Sequence, residues 1–183
     1  MADAGGRRGR RASRVAIELM PPLARFSFRG DSRAAAQASE SFGVALPTEP
    51  MRANESGERA ALWLGPDEWL LRAPLADAIV TRQSLEPAVS DPHSLVEISD
   101  RQLAYQIHGP AMRDVLAAGC PLDLDPEAFP VGMCTRTILG KAEIILWRPA
   151  ADGFIVECGR SFATYVRAFL ADAGREFGFD DVP

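Results

Sequence analysis

With 183 residues, 47% of them apolar and 25% charged, the chain has the size and make-up of one globular domain. A net charge of −5 gives no reason to expect nucleic acid or an anionic membrane surface as its partner, and no apolar run approaches the length of a membrane span. Its three cysteines, Cys120, Cys134 and Cys158, are an odd number without short spacing, which argues against a disulfide framework and for a reduced, cytoplasmic setting.

Residues 1–14 are rich in Gly, Ala and Arg and are expected to form a disordered tail. Arg7-Arg8 and Arg10-Arg11 do not make an export signal, because no apolar core follows them. The domain proper is expected over residues 15–178, with 179–183 as a C-terminal tail. Leu23 to Gly30 alternates with Phe26 and Phe28 on one face, which predicts a strand. Asp31 or Ser32 can then cap a helix through the alanine run to Phe42, and Gly43 ends it. Pro47 to Glu58 reads as a surface loop. Ala60–Leu64 and Trp69–Ala73 are predicted strands, joined through Gly65-Pro66-Asp67-Glu68 as a hairpin.

Leu75, Ala78, Ile79, Arg82 and Leu85 follow helical spacing and predict a second helix over 75–86. Ser90-Asp91-Pro92 connects it to the middle of the chain. There Val96 and Ile98, a turn at Asp100-Arg101, and Leu103, Tyr105 and Ile107 read as a half-buried antiparallel pair. Gly109-Pro110 opens a helix with Met112, Val115 and Leu116 as its stripe, and Gly119 suits a left-handed stop. Asp125-Pro126-Glu127 can start a single turn. Met133–Leu139 and Ala142–Trp147 are strands about a Gly140-Lys141 turn, and Phe154–Cys158 is a further short strand. Ser161 is the expected cap of a last helix carrying Phe162, Tyr165, Val166, Phe169, Leu170 and Ala173. Both halves thus repeat strands, a helix, a hairpin and another helix. Hairpins with helices on one face imply an α+β domain with an antiparallel or mixed sheet.

No stretch has the spacing of a catalytic or metal motif. His93 and His108 are the only histidines, and neither belongs to a C-x-x-C or H-x-x-x-H pattern. No Gly-rich phosphate loop follows a strand. Glu97 and Asp100 read as solvent-facing carboxylates. Trp63, Trp69, Trp147 and Phe154 lie on strands, with Arg72, Arg136, Arg148 and Arg160 at or near strand ends, and Trp and Arg are residues that anchor interfaces. A core role for the tryptophans and a solvated one for the arginines stands open beside that reading.

Several separated blocks carry a family resemblance. VEISDRQ (Val96–Gln102), HGP (His108–Pro110), the run Gly119–Thr137, LGKAEIILWRP (Leu139–Pro149), RSFATYVRAFL (Arg160–Leu170) and ALWLGPDEWLL (Ala61–Leu71) together resemble the gamma subunit of heterotetrameric sarcosine oxidase. That family is similar in fold to the folate-binding domain of glycine-cleavage T-proteins. The resemblance implies an accessory subunit with no catalytic residues, no metal and no cofactor of its own. It implies a complex that demethylates sarcosine oxidatively to glycine, with tetrahydrofolate as one-carbon acceptor and hydrogen peroxide as by-product. Its partners would be alpha, beta and delta subunits, which would carry FAD, FMN, NAD, zinc and the folate. On this reading Trp147, Arg148 and Arg160 are the interface candidates. The alternative is a free-standing folate-binding or aminomethyltransferase-like protein of one-carbon metabolism.

Overall fold

The computed structural model describes residues 14–179. In chain order the strands are β1 (Ala16–Leu19), β2 (Leu23–Gly30), β3 (Ala53–Ser56), β4 (Arg59–Gly65), β5 (Glu68–Pro74), β6 (His93–Glu97), β7 (Gln102–His108), β8 (Cys134–Leu139), β9 (Ala142–Ala150) and β10 (Gly153–Gly159). The helices are α1 (Ser32–Phe42), α2 (Ala78–Ala88), α3 (Met112–Ala117) and α4 (Ala163–Gly174). They build two five-stranded sheets, ordered β1-β7-β10-β9-β8 and β3-β4-β5-β2-β6, in which every pairing is antiparallel. The α+β architecture with antiparallel sheets is the one the sequence predicts.

Period-two alternation decides how the layers stack. On β2, Ala24, Phe26 and Phe28 face α1 and α2, while Arg25 faces the other sheet. On β10, Phe154, Val156 and Cys158 face α3 and α4, while Ile155 and Glu157 face inward. Each sheet therefore has one helix-covered core, and a third, smaller core of Leu62, Leu70, Ala104, Cys134, Ile145 and Trp147 lies between the sheets. A bridge of Arg52 with Met133, and hydrogen bonds from Ala53 N–H to Gly132 O and from Cys134 N–H to Met51 O, join the sheets along one flank.

The halves repeat in more than layout. β1-β2-α1-β3-β4-β5-α2 corresponds to β6-β7-α3-β8-β9-β10-α4, and the two sheets have matching strand orders with one exchange. The leading strand of each half joins the sheet of the other: β1 pairs with β7, and β6 pairs with β2. This corrects the expected hairpin over Val96–Ile107. β6 and β7 are consecutive but lie in different sheets, and the residues between them form a crossover. Asp100-Arg101 lacks the glycine a tight two-residue hairpin turn favours, and Arg101 O instead accepts from Arg160 N–H.

Other local expectations meet their structure unevenly. Asp31 caps α1, its Oδ1 accepting from the N–H groups of Arg33 and Ala34 at 2.9 Å each, and Gly43 closes it at φ 77°. The expected loop over 47–58 contains the edge strand β3, and β1 precedes the first expected strand; both are four residues long. Leu75 and Ile79 face solvent, so α2 packs mainly through Thr81 and Leu85. Pro110 falls in the turn before α3 rather than at its first position. Gly119 is not left-handed: a Cβ there would come 2.4 Å from Phe169 Cζ and 2.9 Å from Gly140 N, so close packing excludes a side chain. Ser161 caps nothing, because a 3-10 turn over Arg160–Phe162 runs straight into α4.

The expected tail lies outside the described residues except for Arg14, whose N–H donates to Phe177 O at 2.8 Å. Phe179, assigned above to the C-terminal tail, packs on the second core, and its N–H bonds Gly174 O. No helix among the described residues is long and apolar enough to cross a membrane.

Candidate functional site

The polar chemistry concentrates between the sheets. Arg25 on β2 and Arg72 on β5 are directly opposed in register, and both reach across the layer to Glu157 on β10. Arg25 Nε donates to Glu157 Oε2 at 2.8 Å. Arg72 Nε lies 2.9 Å from Oε1, close enough for an ion pair but not aligned as a hydrogen bond, so both atoms lack one. The Arg72 guanidinium sits 5.1 Å from the centroid of the Trp147 ring. Burial pushes the Arg72 pKa below the usual guanidinium value, and the Glu157 carboxylate opposes that shift. Two cations on one anion, all three buried, leave a formal charge of +1 inside the layer.

Above Glu157 the sheets splay into a wedge of about 440 Å³. Its walls include Leu64, Ile98, Arg101, Arg136, Glu143 and Phe162. Arg136 on β8 bridges the wedge to Glu68 on β5 and donates to Leu64 O at 3.2 Å. The Arg136 guanidinium, through its hydrogen bond, holds the Glu68 carboxyl below its ordinary pKa. At the mouth, Arg160 Nε donates to Asp100 O at 2.7 Å and ties the crossover to the end of β10.

The interface candidates separate here. Trp147 belongs to the inter-sheet core. Arg148 is only 4% exposed; it lies over Phe154 and donates to Phe129 O and Ala151 O, which pins two loops. As the domain stands, neither is available to a partner, whereas Arg160 is exposed beside the wedge. The expectation placed Trp147 and Arg148 at a strand end; β9 in fact continues to Ala150 and buries them. The triad lies outside the sequence-based expectations, although the sequence carries its signals: an arginine between Ala24 and Phe26, and a lone glutamate inside the apolar run Phe154–Cys158.

His93 stacks on Phe28 at 5.9 Å in one sheet, and His108 lies 3.8 Å from Glu18 in the other, so the histidines do not converge. All three cysteines are buried. Burial raises the Cys134 thiol to about 12 and Cys158 to about 11, far from the thiolate range that nucleophilic or redox work needs. Among the described residues no group of three or more His, Cys, Asp or Glu side chains is placed to hold a metal. The N-terminus of α1, a natural phosphate cradle, is filled by the carboxylate of Asp31.

The model of the sarcosine oxidase gamma subunit family matches residues 29–176. The chain belongs to that family. It is 32% identical over 145 residues to the sarcosine oxidase subunit gamma of Corynebacterium sp. (strain P-1), covering 79% of this chain and 71% of that one. With the corresponding subunit of Corynebacterium sp. (strain U-96) it is 33% identical over 142 residues, covering 76% and 68%. Its structure is similar to a chain of the heterotetrameric sarcosine oxidase from Corynebacterium sp. U-96 in complex with pyrrole 2-carboxylate, with TM-score 0.85 and 29% identity over 96% of this chain and 90% of that chain. The glycine cleavage system aminomethyltransferase T from Bartonella henselae shares the fold, with TM-score 0.66 at 13% identity over 88% of this chain and 46% of that one.

Proposed function

We propose that this chain is the accessory gamma subunit of a cytoplasmic, heterotetrameric sarcosine oxidase. The carrying observation is the full-length likeness to one chain of such an assembly, matched on both sides, by a protein that belongs to the gamma-subunit family. Its partners are the alpha, beta and delta subunits, and the complex converts sarcosine to glycine oxidatively, passing the one-carbon unit to tetrahydrofolate and releasing hydrogen peroxide. FAD, FMN, NAD, zinc and folate belong to the companion subunits. The residues of this chain support a structural part in that work. Burial holds its Cys134 and Cys158 thiols protonated, its two histidines sit in different sheets, and its buried Arg25, Arg72 and Glu157 are spent joining the sheets.

Affinity-tagged chain, co-expressed with the companion subunits encoded by its source, tests the reading. The expected result is a stoichiometric complex that consumes oxygen with sarcosine, while the isolated chain shows neither flavin absorbance nor sarcosine-dependent oxygen uptake. An isolated chain that carries flavin and turns over sarcosine contradicts the proposal.

A further inference from the structure

Resting on that reading, we infer that the mouth of the inter-sheet wedge is the docking surface for a partner subunit, and that the segment it receives presents an apolar side chain flanked by carboxylate.

Three features converge there. The first is apolar exposure: Phe162, at the start of α4, is 46% exposed, and Ile138 on β8, two residues beyond Arg136, is 47% exposed. Phe162 lines the wedge, and Ile138 pairs with Glu143, which lines it too. The second is concavity: Leu64, Ile98 and Ile145 form apolar wall between the splayed sheets, deep enough to take an inserted side chain. The third is unmatched charge. Arg101 lines the wedge, exposed Arg160 sits in the chain between the lining residues Gly159 and Ser161, and among the described residues no carboxylate lies within 4 Å of either. Glu68 is already engaged by Arg136 and Glu157 by the triad, so Glu143 on the far wall is the remaining lining carboxylate without an ion pair. Carboxylate from a partner would meet the two arginines, with the apolar side chain between them and Ile138.

The rival surface lacks the last of these features. Leu75, Ile79 and Val80 make an exposed apolar ridge on and just before α2, with Ile79 at 70%. Its flanking charges are matched, Arg59 with Asp77 and Arg82 with Glu86. It offers a partner apolar area but no unmatched charge to select it.

The co-expressed complex provides the test. Arg101→Glu combined with Arg160→Glu should lower the affinity for companion subunits by at least about tenfold, and Phe162→Ala should lower it similarly. Thermal melts of the isolated chains should stay near wild type for Arg101→Glu and Phe162→Ala, whose side chains make no hydrogen bond or ion pair with the other described residues. Ile79→Glu should assemble normally. Folded wedge variants that assemble with wild-type affinity overturn the inference, as does loss of assembly with Ile79→Glu alone. If the wild-type chain recovers no companion subunit, it is the gamma-subunit reading that has failed.

Discussion

The outer face of the β2 sheet buries Phe26, Phe28, Trp69 and a row of alanines against α1 and α2, whereas the layer between the sheets buries Arg25, Arg72 and Glu157 beside Leu62, Leu70 and Trp147. β2, β4 and β5 serve both regions, read on alternate residues, while β9 and β10 supply the far side of the inner layer. The outer face is held mainly by apolar burial, which is additive and tolerant of volume-conserving change. The inner layer depends on charges whose desolvation is offset only while all three partners are present. Such a layer adds little net stability over an apolar one. It does single out one register between two similar sheets, because a shift of either would strand a buried charge. The difference separates what folds each half from what fixes the halves together.

Removing one partner should break the inner layer most. Glu157→Ala leaves two buried guanidinium groups uncompensated and should cost about 3–5 kcal/mol, measured as a fall in the urea midpoint. Replacing all three together, as Arg25→Met, Arg72→Met and Glu157→Leu, should recover much of that loss. If the triple variant is as unstable as the single one, the layer is held by something other than charge pairing.

The helix-covered face of the other sheet, built on the same plan, should respond to volume instead. Gly119→Ala pushes a methyl against Phe169 and the Gly140 backbone, and should cost about 1–3 kcal/mol. A variant as stable as wild type would show that the α3–α4 contact yields more easily than its spacing implies.

The exposed pair across the wedge should matter least. Glu68 has a folded pKa below its unfolded value of about 4.5, so its contribution is present above that value and is lost as pH falls through the folded pKa. Arg136→Ala should therefore cost no more than about 1 kcal/mol at neutral pH and flatten the loss of stability on the acid side. An unchanged acid profile would remove this bridge from the account.

What could be read in advance was local. β2, the Asp31 cap, Gly43 and the hairpins at Pro66-Asp67 and Gly140-Lys141 are specified by residues within a few positions of one another. The sheet assignment of β6 and β7 is not local: alternation shows that each is a strand, but pairing depends on partners about 70 and 50 residues away, such as Ser27 for Val96 and Val156 for Tyr105. β1 and β3 are too short for alternation to declare them. The candidate site suffered for the same reason. Trp147 and Arg148 look like a strand end until β9 is seen to run on to Ala150, and Arg25 looks solvated until Glu157 arrives from the other half. Arg160 is exposed directly after a strand and a glycine, as its place in the sequence implies.

Hydrogen exchange read by mass spectrometry, on the isolated chain and on the assembled complex, tests the division of labour most directly. The account predicts new protection on assembly over 98–102, 136–143 and 160–162, with the α2 ridge over 75–80 unchanged. Protection confined to 75–80, with the wedge exchanging as freely as in the isolated chain, would contradict it.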